Sequence, residues 1–103
     1  MKKVIGGKSY DTEKAQLLHN YSYGNPGDFD YWQESLYVTS KGAFLVLGEG
    51  GARSKYAKRV GQNSWGGGED IKPVSKVEAL RWLEEHDGAE VILEHFAGEI
   101  EEA

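Results

Sequence analysis

The chain has 103 residues, a formal net charge of -5 from 12 Lys and Arg against 17 Asp and Glu, 39% apolar residues, 14 glycines and no cysteine. That length suits one domain spanning residues 1–103, which would bury ~60–65% of the surface its unfolded chain exposes. The lack of cysteine excludes disulfide scaffolds and Cys-ligated metal centres, and 28% charged residues with no apolar run beyond Ala43 to Leu47 exclude a membrane-spanning helix and wholesale disorder.

Gly6-Gly7 between Lys2 to Ile5 and Lys8 to Tyr10 predicts a tight hairpin. The period then changes: Asp11 is placed to cap a helix starting at Thr12, with Ala15, Leu18 and Tyr21 on one stripe, ended by Gly24-Asn25-Pro26-Gly27. Tyr31 to Thr39 has the composition of a strand, Ser40-Lys41-Gly42 suits a hairpin loop with Gly42 left-handed, and Ala43 to Leu47 returns as its partner. That run is apolar at both parities, which predicts a central strand covered on both faces. A short basic helix is expected over Ala52 to Val60, followed by a glycine-rich loop. Ile71 to Val74 reads as a short strand that Pro73 confines to an edge or a strand end. Ser75 followed by Glu78 is a capping box opening a helix, and Ala89, Ile92, Leu93 and Phe96 repeat the helical spacing. The resulting fold is α+β, a small mainly antiparallel sheet covered on one face by helices, in the order β-β-α-β-β-(short α)-β-α-α.

Charge is segregated. Nine acids lie beyond residue 75 (Glu78, Glu84, Glu85, Asp87, Glu90, Glu94, Glu99, Glu101, Glu102) against Lys76 and Arg81, a net of -7, so residues 1–75 carry +2. Arg53, Lys55, Lys58 and Arg59 crowd seven positions of that first part. The acidic end suits a positively charged partner such as the groove of a nucleic-acid-binding protein, and a solvated outer helix face accounts for the same pattern.

Gly48-Glu49-Gly50-Gly51 before a run of cations is an arrangement able to hold an anion or nucleic acid, with Arg53, Lys55, Lys58 and Arg59 as contacts, although Arg53 and Ser54 break the phosphate-loop pattern. Glycines that merely turn the chain are the competing reading. The three histidines, His19, His86 and His95, have no metal-ligand spacing, and no nucleophile stands near a base at a meaningful interval, so neither a metal, a cofactor nor enzymatic activity is expected. Tyr31, Trp32 and Trp65 lie in polar, glycine-rich settings that suit interface anchors, although such rings, Trp32 above all, equally suit lids packed over the core edge; with Glu84, Glu85, Asp87, Glu90 and Glu94 they form the candidate partner-binding set. Val4-Ile5 is cut short by Gly6-Gly7-Lys8, too little for the apolar core of a signal peptide, so a cytoplasmic location is expected.

Gly7 to Ala15, Glu34-Ser35-Leu36-Tyr37, Gly48-Glu49-Gly50-Gly51, Ser54-Lys55-Tyr56-Ala57, and Ile71 to Val74 with Glu78-Ala79 and Trp82 together resemble a family of small bacterial proteins of ~100 residues carried by prophages, plasmids and other mobile elements. The resemblance covers nearly the whole chain and implies no catalytic residues. It implies an inhibitor of host defence, of the anti-CRISPR kind, that binds a CRISPR effector or another defence nuclease stoichiometrically in the cytoplasm of the host cell. The alternative is a regulatory or nucleic-acid-contacting module of the mobile element that uses the basic patch at 53–59, with self-association as a further partner expectation and no membrane partner.

Overall fold

The computed structural model describes residues 1–101 and has the expected α+β class. Its centre is a four-stranded antiparallel sheet ordered β3(Gln16–Tyr23), β4(Trp32–Val38), β5(Phe44–Gly50), β8(Gly68–Val74). A hairpin of β1(Lys2–Ile5) and β2(Lys8–Asp11) precedes it, and β6(Lys58–Arg59) and β7(Trp65–Gly66) form a two-residue ladder. Two helices follow, α1(Lys76–Glu85) and α2(Ala89–His95). No helix is long and apolar enough to cross a membrane.

The local signals that shape most of this sheet are short-range. Gly6 and Gly7 both adopt positive φ, 58° and 78°, which lets β1 fold directly back on β2. Gly42 at φ 84° closes the β4–β5 turn, where the Thr39 and Ala43 backbones also pair. β5 is central, between β4 and β8, and buries Leu45 on one face and Val46 on the other. β8 is an edge strand, and Pro73 stands next to its last residue, which meets both positions open to a proline in a sheet.

Two expected helices are not formed. From Thr12 the chain makes only one 3-10 turn, with the Asp11 carboxylate accepting from the Glu13 amide, and then becomes β3. The pairing register shifts between Leu17 and His19, a β-bulge at Leu18. Past the bulge, His19, Tyr21 and Tyr23 alternate with Asn20 and Ser22, a period of two. The apparent helical stripe of Ala15, Leu18 and Tyr21 arises because the bulge inserts one residue into that alternation. The basic segment at 52–60 is likewise a series of turns ending in β6, held by tertiary contacts of Lys55 and Tyr56.

The helices cover the sheet face that carries Leu36 and Val46, and Ala79, Leu83, Ile92 and Phe96 close the core against them. Ser75 and Glu78 exchange both hydrogen bonds of a capping box, so α1 starts where its first free amides are satisfied. Phe96, just after α2, stacks on Phe44 with centroids 5.4 Å apart. Leu45 and Ile71 point to the opposite face and are equally closed to solvent. The N-terminal hairpin is tied to β8 by the Lys3–Asp70 ion pair at 2.5 Å and shares a cleft with the 39–43 turn. The molecule is flat and elongated, 50 × 34 × 19 Å.

Candidate functional site

Strand alternation sets Trp32, Glu34 and Leu36 on the face that α1 covers. Leu36 enters the apolar core, but Glu34 brings a carboxylate into the same layer, where its side chain is only 7% exposed. A charge so placed needs partners. It has three: the Tyr56 hydroxyl donates to Oε2, the Trp82 indole donates to Oε1 at 2.8 Å, and Lys55 Nζ pairs with Oε2 at 2.9 Å. Burial alone pushes the Glu34 carboxyl up, and the three donors together outweigh it, so the group titrates below its ordinary value. Burial, followed by the hydrogen bond to this carboxylate, pushes the Tyr56 phenol well above its own.

This arrangement explains the glycine loop. A Cβ on Gly48 would stand 1.9 Å from the Tyr56 ring, and one on Gly50 would stand 2.2 Å from Ser54 Oγ, so β5 lacks side chains where residues 54–56 lie across it. The amides of Gly51, Arg53 and Ser54 donate to the carbonyls of Tyr31, Phe29 and Gly51, which leaves them turned inward and not free to hold an anion. The expected anion cradle at a helix start is therefore a packed turn. Its cations are engaged as well: Arg53 lies over the Phe29 ring, Lys55 is paired with Glu34 and sits 4.4 Å from the Trp32 centroid, Lys58 donates to the Glu69 carbonyl, and Arg59 donates to the carbonyls of Gly61 and Gln62.

Beside the buried carboxylate stands a wall of rings. Trp32 is flanked by Tyr23, stacked at 5.9 Å, by Tyr21 at 5.7 Å and by His86 edge-on at 5.9 Å, and His86 in turn stacks on Trp82 at 4.7 Å. His86 caps the C-terminus of α1, with its Nδ1 2.6 Å from the Trp82 carbonyl, and its own carbonyl lies 2.7 Å from His19 Nε2. A cleft of about 320 Å³ opens between α1 and the sheet, with Glu34, Lys55, Tyr56, Arg81 and His86 among its walls.

No family model, curated protein or solved structure matches this chain. The site must be read from its own geometry. Among the described residues, no three His, Asp or Glu come together as a metal would require. Both Glu34 oxygens are held by donors, which suits a latch that fixes the 51–57 turn and α1 to the sheet better than a proton-transfer group.

The structure divides the candidate partner-binding residues. Glu84 and Glu85 end α1, Asp87 follows in a left-handed turn at φ 60°, and Glu90 and Glu94 lie on α2, all five exposed. None of them forms an ion pair among the described residues. Through His86 this acidic rim is continuous with the ring wall that holds Trp32. Tyr31 is half-buried and donates its hydroxyl to Gln33. Trp65 is 59% exposed on the separate β6–β7 ladder and so belongs to a different patch. Glu102, counted with the acidic end, lies outside the described residues.

The sequence alone assigns Glu34 no functional role, and it stands there only in a segment of the family resemblance. Its signal is parity: Trp32, Glu34, Leu36 and Val38 share one strand face, so a carboxylate is forced into the side that must take up the helices.

Proposed function

We propose that the protein is a non-enzymatic binding protein that inhibits a nucleic-acid-handling partner, such as a CRISPR effector or another bacterial defence nuclease, by stoichiometric occupation of a basic groove. The contact surface is the acidic rim of α1 and α2 with the adjoining ring wall. One observation carries this reading: Glu84, Glu85, Asp87, Glu90 and Glu94 are all exposed and form no ion pair among the described residues, whereas Arg53, Lys55, Lys58 and Arg59 each have an internal partner. Against these five acids α1 sets Arg81, one turn before Glu84 and Glu85, so the rim keeps a net negative field that suits a cationic groove. Next to it, Tyr23 is 55% exposed and offers the flat, amphipathic area that anchors interfaces.

The resemblance to small proteins of bacterial mobile elements supplies the class of partner. The alternative, direct nucleic-acid contact through the basic patch, has less support because those cations are already committed within the fold.

Titrating the purified protein into a CRISPR effector and measuring target cleavage tests the proposal. Cleavage is expected to vanish near a one-to-one ratio at about 0.1 M salt and to recover by about 0.5 M, as screening shortens the interaction range. Unchanged cleavage across several effector types would sink the reading.

A further inference from the structure

The two edges of the central sheet are built differently. The β8 edge is blunted by several devices: Pro73 removes a donor, the Asp70 carboxylate takes the Ile71 amide at 2.9 Å, Lys58 Nζ takes the Glu69 carbonyl at 3.1 Å, and three charged side chains stand at 69, 70 and 72. The β3 edge has none of these. Its eight residues, Gln16 to Tyr23, include no proline and no Asp, Glu, Lys or Arg. Among the described residues, its backbone groups hydrogen-bond only across the ladder to β4. The bulge at Leu18 interrupts it near one end and leaves His19 to Tyr23 as a regular, open edge.

Such an edge is a template for another strand. We infer that its occupant is β3 of a second copy of this chain, paired antiparallel about a two-fold axis so that the two central sheets run on as one.

Two facts favour a second copy over a foreign strand. The chain is acidic overall, so like copies repel through most of their surface, and β3 is the stretch where they meet without opposing charges. Second, the chain exposes 7066 Å², whereas size scaling gives about 5,800 Å² for a compact monomer of 11.4 kDa. The excess, roughly 1,300 Å², exceeds the ~800 Å² that each partner contributes to a standard interface. Exposed Leu17, near one end of the strand, adds apolar area to the pairing. Antiparallel self-pairing is isologous and closes at two copies, so it also removes the hazard of open-ended sheet growth.

The test is sedimentation of the full chain from about 1 to 300 µM at about 0.15 M salt. A monomer–dimer equilibrium is expected. The double variant Asn20→Asp with Ser22→Asp sets carboxylates on one face of the edge, where a two-fold centred on Tyr21, the middle of the regular stretch, opposes them directly, and the dimer should weaken by at least tenfold, seen as a higher Kd. Ser64→Asp, on the exposed β6–β7 loop, adds charge away from the edge and should dimerise as the wild type does. Hydrogen exchange on the wild type reads the same pairing without a substitution: β3 amides should slow as concentration rises. A chain that stays monomeric to 300 µM overturns the inference and leaves the edge to a strand of another protein. A dimer indifferent to the two carboxylates, or one whose β3 exchange does not depend on concentration, overturns it as well.

Discussion

Replacing Glu34 by Gln is the sharpest perturbation of the fold, because it keeps the shape of the side chain and removes only its charge and one acceptor. The carboxylate now accepts from Tyr56, Trp82 and Lys55. Hydrogen bonds to a charged group contribute about 1.5–3 kcal/mol each, and Gln can still accept one of them while its amide nitrogen turns a donor toward the other. Lys55 is 55% exposed, so solvent screening leaves its ion pair worth at most about 1 kcal/mol. Together these give an expected loss of about 2–3 kcal/mol, or roughly 10–20 °C in Tm for a domain of this size. Urea unfolding followed by tryptophan fluorescence measures it, and Trp82 reports on the same bond. Tyr56→Phe should cost about 1.5–3 kcal/mol alone and much less in the Glu34→Gln background, since the two share one interaction. A loss below about 0.5 kcal/mol for Glu34→Gln, or full additivity with Tyr56→Phe, would refute the latch.

The same carboxylate sets a pH dependence. Its folded-state titration lies below the ordinary carboxylate value of about 4.3, so its stabilisation is complete above that pH and is lost as pH falls through the folded value; Glu34→Gln should lose less stability than the wild type on acidification from about pH 5 to 3. Gly48→Ala should displace the 51–57 turn, because the new Cβ meets the Tyr56 ring, and cost about 2 kcal/mol or more in chemical unfolding, with proteolysis appearing first in that turn. Ser75→Ala removes half of the capping box and should cost about 1 kcal/mol in thermal unfolding, without effect on partner binding.

What the sequence discloses and what it hides follow from the range of the interactions involved. The β4–β5 hairpin, the capping box of α1 and the apolar spacing of α2 rest on contacts a few residues apart, so Gly42, Ser75 and Ile92 announce them. β3 was hidden by a single inserted residue, because the bulge at Leu18 turns a two-residue alternation into an imitation of a helical stripe. The 52–60 segment departs from the expected helix for a different reason. Its conformation is decided by Tyr56 and Lys55 reaching Glu34, more than twenty residues earlier, and by glycines of β5 that leave room for them. Propensity in a short window carries no record of that partner. The same distance hid Glu34 itself, while the exposed acids of α1 and α2 were legible because outward position on a helix is written in its period.

In the proposed mode of binding the acidic rim, not the basic turn, meets the partner. The direct measurement compares inhibition of a CRISPR effector by the wild type with inhibition by Glu85→Lys, Glu90→Lys and Glu94→Lys combined, and by Arg53→Glu with Lys58→Glu, each checked for unchanged thermal unfolding. The first set of substitutions is expected to abolish one-to-one inhibition and the second to leave it intact; inhibition that survives reversal of the rim and is lost with the basic turn would overturn the proposal.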